Sequence, residues 1–204
     1  MPSDGDARSA KHTLRFQLRA RRARRPTADR ERAAEALADG VLALPEICAA
    51  ATVACYVSTP EEPGTGPLLE RLAALRRTVL LPVLLRDFDL EWAASAPGAL
   101  RAGRLGIPEP TGEPLGVDAV TGASVVVCPG LAADDHGCRL GRGGGSYDRV
   151  LARLPPTVLR VVLLYDDEVL PAVPVDSHDQ LVDVVITPRR TLRTAPAQRH
   201  KRGG

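Results

Sequence analysis

Between residues 139 and 149 the chain reads Arg139-Leu140-Gly141-Arg142-Gly143-Gly144-Gly145-Ser146-Tyr147-Asp148-Arg149. Four glycines fall within five residues, arginines flank them, and a helix is predicted to follow, because Tyr147, Leu151 and Leu154 share one face at spacings of four and three. Glycines let backbone N–H groups approach an anion closely, and a helix N-terminus adds unpaired donors and partial positive charge. Arg139 and Arg142 offer bidentate contacts to phosphate or carboxylate oxygens. The chemistry indicated is anion binding; a flexible surface loop is the plainer alternative. The run is neither a Walker loop, since no Gly-Lys-Ser/Thr closes it, nor a dinucleotide fingerprint, since Ser146 stands where the last glycine belongs.

Asp148 lies one turn into the predicted helix. It can meet a metal ion riding on bound phosphates, or it can simply complement the helix dipole. Asp183 opens a predicted strand, where metal ligation, a salt bridge and a solvated strand end all remain open. His178 and Asp179 read as groups that stabilise a loop.

These residues need a scaffold, and the pattern supplies one. The chain has 204 residues, 44% of them hydrophobic and only 3% aromatic, so one domain with a core of Val, Leu and Ala is expected. Helices are predicted over 11–25, ended by Pro26, and over a second stretch capped by Thr27 with Ala33, Ala34, Leu37 and Val41 inward. Strands are predicted over 52–57, 78–84, 124–128, 158–165 and 182–187, with a helix over 68–75 and a Pro/Gly-rich passage over 96–116. This alternation specifies a three-layer α/β domain, a mostly parallel sheet with helices on both faces and an amino-terminal helical pair. The expected organisation is a disordered tail over 1–10, one domain over 11–190 and a disordered basic tail over 191–204. In such sheets ligands gather at the carboxyl ends of the strands, which is where 124–128 delivers Pro129-Gly130-Leu131 and the glycine run.

The net charge of +2 does not argue for nucleic acid. Residues 8–32 hold ten lysines or arginines, which fits a basic patch or a solvated helix face. Cys48, Cys55, Cys128 and Cys138 lack the spacing of a zinc site or a disulfide framework. No segment reaches the roughly 20 apolar residues needed to span a bilayer. The reading is a cytoplasmic protein with reduced thiols.

The stretch Val127-Cys128-Pro129-Gly130-Leu131-Ala132, continuing through Arg139 to Asp148, resembles the signature of the 5-formyltetrahydrofolate cyclo-ligase (methenyltetrahydrofolate synthetase) family. Lys11-x-x-x-Arg15, Glu62, Gly106-Ile107-Pro108-Glu109-Pro110, and His178-Asp179 ahead of Asp183-x-x-Ile186-Thr187 agree with it in order and spacing. The resemblance implies an ATP- and Mg²⁺-dependent cyclisation of 5-formyltetrahydrofolate, free or polyglutamylated, to 5,10-methenyltetrahydrofolate, by a monomer without membrane or nucleic-acid partners. It implies ATP contacts at Lys11, Arg15, Arg139, Leu140, Gly141, Arg142, Gly143, Gly144, Gly145, Ser146 and Tyr147. It implies folate contacts at Val57 and Glu62, and formyl contacts over Arg142 to Ser146. It implies catalytic roles for Arg142 and Tyr147 and Mg²⁺ carboxylates at Asp148 and Asp183. Three residues depart from the family pattern: Ser146 replaces a tyrosine, Leu105 a tryptophan found in some relatives, and Glu168 a glutamine. A non-catalytic folate- or nucleotide-binding regulator of the same fold is the alternative.

Overall fold

The computed structural model describes residues 4–96 and 98–194. Helix α1 spans Asp4–Ala23 and α2 spans Thr27–Leu42. The helix therefore starts seven residues before the expected position 11, and only residues 1–3 of the expected tail lie outside the described residues. The stretch lacked apolar periodicity, but it also lacks proline, and nothing stops helix propagation through it. Thr27 does not cap α2. Pro26, with φ −59° and ψ 146°, already breaks from the helical path and takes the capping position, so Thr27 is the first helical residue and its Oγ1 accepts a hydrogen bond from Arg30.

A short helix α3 (Pro45–Ala49) leads into strand β1 (Thr52–Ala54), followed by α4 (Gly66–Ala74), β2 (Thr78–Leu84) and β3 (Leu90–Ala94). A small hairpin, β4 (Leu100–Ala102) with β5 (Pro108–Pro110), fills the Pro/Gly-rich passage. Then come β6 (Val125–Pro129), the two-residue strands β7 (Ala132–Ala133) and β8 (Arg139–Leu140), helix α5 (Ser146–Arg153), β9 (Leu159–Leu163), β10 (Val184–Ile186) and β11 (Thr191–Arg193).

Seven strands form one sheet in the order β11-β10-β9-β6-β1-β2-β3. The inner five are mutually parallel, with Val127 opposite Val161 and Ala54 opposite Leu80. Both edge strands, β3 and β11, are antiparallel to their neighbours. Strand β11 occupies the start of the segment expected as a carboxyl-terminal tail; residues 195–204 lie outside the described residues. It is tied down by its ladder to β10 and by Arg193, which donates two bonds to Glu46 at 2.8 and 2.9 Å.

Alternate strand residues face opposite layers. Val53, Val125, Val127, Val161 and Val184 pack with Leu37, Val41, Leu68 and Leu72 of α2 and α4. Ala54, Val126, Cys128, Val162 and Val185 pack on the other face with Val150 and Leu151 of α5 and with Trp92. Helix α1 belongs to neither layer. Its Leu18 packs with Leu131, Leu140 and Val173, so α1 lies against the β7–β8 hairpin near the carboxyl ends of the strands.

Candidate functional site

The strand order reverses direction between β1 and β6, and the loops leaving their carboxyl ends diverge there, which is the place where such sheets take ligands. A cavity of about 450 Å³ opens at this point. Tyr56, Val57, Thr59 and Glu62 enter it from the loop after β1, Pro129 and Gly130 from β6, and the whole run Arg139–Asp148 from β8 and α5.

The hairpin that presents the glycine run is set by Asp134. One of its carboxylate oxygens accepts from the backbone N–H groups of His136 and Cys138, the other from that of Val173. Leu131 N–H donates to the carbonyl of Leu140 at 2.7 Å, and the chain then leaves β8 into the glycines. Gly145, with φ 70°, caps α5 from the left-handed region, a conformation that a side chain would strain. The backbone N–H groups of Gly143, Gly144 and Ser146 donate to no other described residue. The carbonyls are occupied instead: Arg15 Nε donates to Gly141 at 2.9 Å, and Arg19 to Arg142 at 2.8 Å. The arginines of α1 thus cover the negative ends of these peptide dipoles and leave the positive ends for an anion.

Beneath the loop Arg139 is 3% exposed. It donates to the Pro129 carbonyl and, at 2.8 Å, to Asp148 Oδ1, which also accepts from the Gln180 backbone N–H. Asp148 Oδ2 has no partner among the described residues, so this carboxylate keeps one oxygen for a ligand. Tyr147 reaches both core layers with its ring, and its buried hydroxyl has no hydrogen-bond partner among the described residues. Burial pushes this phenol well above its usual range, so it stays a neutral donor. Arg142 Nε stands 3.5 Å from Glu62 Oε1, and both line the cavity. The other Glu62 oxygen accepts from the Thr59 N–H and hydroxyl, which fixes this nearly buried carboxylate at the end of the β1 loop. Val57 lines the same side.

Lys11 reaches the cavity edge, but there its ammonium is held between Asp176, at 2.7 Å, and Asp179. Asp176 is thereby held below the usual carboxylate range by the hydrogen bond from Lys11. Asp176, His178 and Asp179 would otherwise form a metal-capable cluster, yet the lysine already supplies a cation to its two carboxylates. The loop-stabilising reading of Asp179 is thus met by this pair.

Asp183 is not brought to the cavity. It stands just before Val184, at the amino end of β10, and its Oδ2 accepts from the backbone N–H of Arg160 at 2.9 Å. Because β10 runs parallel to β9 and β6, this is the opposite edge of the sheet from the glycine run. The expected second metal carboxylate is therefore corrected to a strand-end acceptor.

The sequence reading passed over Thr59, Arg19, Asp176 and Arg149. Arg19 had a signal, since it continues the i, i+4 row of Lys11 and Arg15. Much of the basic segment 8–32 is spent on the protein itself. Besides Arg15 and Arg19, Arg22 forms a two-pronged pair with Glu168 at 2.7 Å, and Arg25 pairs with Asp167 and lies 3.9 Å over the Tyr165 ring. Glu168 is thus a buried counter-ion that also accepts from Tyr165 N–H. Burial raises the Cys55 and Cys128 thiols to about 12 and about 11, which makes both inert.

The family model for 5-formyltetrahydrofolate cyclo-ligases matches residues 7–188, which takes in most of α1, the five parallel strands and every residue that lines the cavity. The chain belongs to the 5-formyltetrahydrofolate cyclo-ligase family. It is accordingly an enzyme of the ligase class. It is 38% identical to the 5-formyltetrahydrofolate cyclo-ligase of Mycolicibacterium smegmatis over 188 residues, covering 90% of this chain and 96% of the relative. It is 32% identical to that of Escherichia coli over 174 residues, 83% and 95% of the two chains. Among solved structures, the 5,10-methenyltetrahydrofolate synthetase of Aquifex aeolicus superposes with a TM-score of 0.79 at 28% identity, over 95% of this chain and 99% of that one. The synthetase from Mycoplasma pneumoniae, at 18% identity and a TM-score of 0.70, shares the fold.

Proposed function

We propose that this cyclo-ligase closes 5-formyltetrahydrofolate to 5,10-methenyltetrahydrofolate with consumption of ATP. The carrying observation is that one cavity is lined by a cationic glycine cradle, by a fixed carboxylate, Glu62, 3.5 Å from Arg142 of that cradle, and by apolar walls. The cradle suits a polyphosphate: free N–H groups over Gly143 to Ser146, with Arg15, Arg139 and Arg142 around them. Glu62, beside Val57, suits the N–H edge of a pterin.

A formamide carbonyl is a weak electrophile. Transfer of the γ-phosphoryl to its oxygen gives an iminium phosphate and ADP; N10 then attacks the carbon and loses its proton, and phosphate leaves. Such transfer depends on positioning and charge neutralisation more than on covalent help from the protein. In this reading Arg142 neutralises charge on the transferring group. Tyr147, whose phenol burial keeps protonated, would donate a neutral O–H to the reacting group once that group reaches it.

Magnesium fits the residues present through Asp148 alone, whose free oxygen, completed by phosphate oxygens, matches the sparse protein ligation this ion accepts. When bound it would neutralise phosphate charge. Lys11 takes part by leaving Asp176 and Asp179 for a phosphate.

The reading is tested by following near-UV absorbance of the methenyl product with 5-formyltetrahydrofolate, Mg²⁺ and ATP against an ATP-free control. ATP-dependent growth of that band is expected. A folded, ATP-binding protein that forms no product would instead support the regulator.

A further inference from the structure

The chain contains two phenylalanines, and one of them, Phe88, lies at the mouth of this cavity with 48% of its surface exposed. The walls around it are aliphatic, from Pro82, Leu84, Leu90 and Ile107. The other aromatic rings that line the cavity, Tyr56 and Tyr147, are committed to the core. Phe88 is therefore the one exposed aromatic face among the described residues of this site.

Its backbone is unusual as well. Phe88 adopts φ +65°, a left-handed conformation that a bulky aromatic residue rarely takes and that glycine would take freely. Such an outlier persists only where its surroundings enforce it, and it points to a role for the side chain. The enforcement is visible. Within the β2–β3 turn, Phe88 N–H donates to the Leu85 carbonyl and Leu85 N–H to that of Asp89. Arg149, from the helix that follows the glycine run, donates to the Phe88 carbonyl at 2.6 Å and reaches the carbonyls of Asp87 and Gly144 at 3.4 and 3.5 Å. Arg153 grips Asp89 with two bonds, at 3.1 and 2.7 Å. One guanidinium thus ties the turn bearing Phe88 to the phosphate cradle.

We propose that Phe88 is a specificity-determining wall on which the planar ring system of the folate stacks, and that Arg149 is the positioning residue that holds it over the cavity. The inference rests on the proposed folate substrate and deepens it. A flat heteroaromatic ring entering between aliphatic walls gains a stacking face only at Phe88. Fixing that face to the cradle sets the distance between the ring and the phosphoryl donor.

The test uses Phe88→Gly, which removes the ring and returns the left-handed position to the residue that suits it. Its melting temperature should match or exceed that of the parent protein, while the KM for 5-formyltetrahydrofolate rises about 3- to 10-fold, the range expected for one stacking contact. The KM for ATP should not move. Phe88→Tyr should retain the parent folate KM. Arg149→Met should raise the folate KM in the parent but add nothing in the Phe88→Gly background, which a merely structural arginine would not do. A Phe88→Gly protein with unchanged folate KM overturns the inference and leaves the proposed function standing. A parent protein that neither binds 5-formyltetrahydrofolate in equilibrium dialysis nor turns it over overturns both.

Discussion

Arg22→Met is the most informative single perturbation of the scaffold. Arg22 and Glu168 are each 2% exposed and joined by two charge-assisted bonds of 2.7 Å. Arg22 also donates to the Gly130 carbonyl at 2.6 Å, and the Glu168 oxygens accept in addition from Tyr165 N–H. Removing the arginine strands a buried carboxylate, and breaking a pair of this kind costs about 3–5 kcal/mol. For a domain of this size that corresponds to a fall in Tm of roughly 6–20 °C. Arg22→Met combined with Glu168→Gln removes the stranded charge yet keeps an acceptor for Tyr165. The double variant should therefore be more stable than Arg22→Met alone by about 2 kcal/mol, the cost of an uncompensated buried charge that it avoids. Urea unfolding followed by circular dichroism measures all three proteins. A single variant within about 1 kcal/mol of the parent, or a double variant no better than the single, would refute the argument that charge compensation governs this contact. The pair also seats α1, so the KM for ATP should rise in Arg22→Met through displaced Arg15 and Arg19.

Three further outcomes are expected. Tyr56, Tyr147 and Tyr165 are all raised above their ordinary value of 10.0, chiefly by burial. The unfolded chain therefore ionises first, stability is full below pH 10 and falls above it, and tyrosinate absorbance should appear only together with loss of helical signal; independent titration of a tyrosine in the folded protein near pH 10 would contradict this. At the acid end Asp176 and Asp89 are held below 3.8 by hydrogen bonds from Lys11 and Arg153, so their contribution is present above that value and is lost as pH falls through the folded values. Acid titration monitored by fluorescence of Trp92 should show Lys11→Met unfolding with less dependence on pH there than the parent. Gly137→Ala would place a methyl group 2.3 Å from the Val182 carbonyl at φ +84°, and should destabilise by about 2 kcal/mol or more in urea unfolding.

The parallel sheet was legible because its strands are short continuous runs of valine and leucine buried on both faces, and because Pro129-Gly130 marks their carboxyl ends. Strand β3 was not, since Leu-Glu-Trp-Ala-Ala carries neither a clean alternation nor β-branched residues, and tertiary packing on β2 decides it. The glycine cradle was readable from local sequence alone, because glycine run, arginines and helix are contiguous. Asp183 misled because only register reveals which end of a strand lies near a site. Thr59, Asp176 and Phe88 come from three separate loops and meet through topology, which spacing along one sequence does not encode.

Helix α1 closes the site from the beginning of the chain, yet its anchors lie near the other end: Lys11 on Asp176 and Asp179, Arg22 on Glu168, Arg25 on Asp167. During synthesis α1 therefore emerges long before the residues that seat it. Until residues 167 and 168 have been made, Arg22 and Arg25 have no carboxylates to dock on, and Lys11 lacks its pair until residue 179. Ligand affinity should accordingly arrive late and abruptly in biogenesis, and nascent chains should carry an unsatisfied basic helix open to acidic chaperones or ribosomal RNA for most of their time on the ribosome.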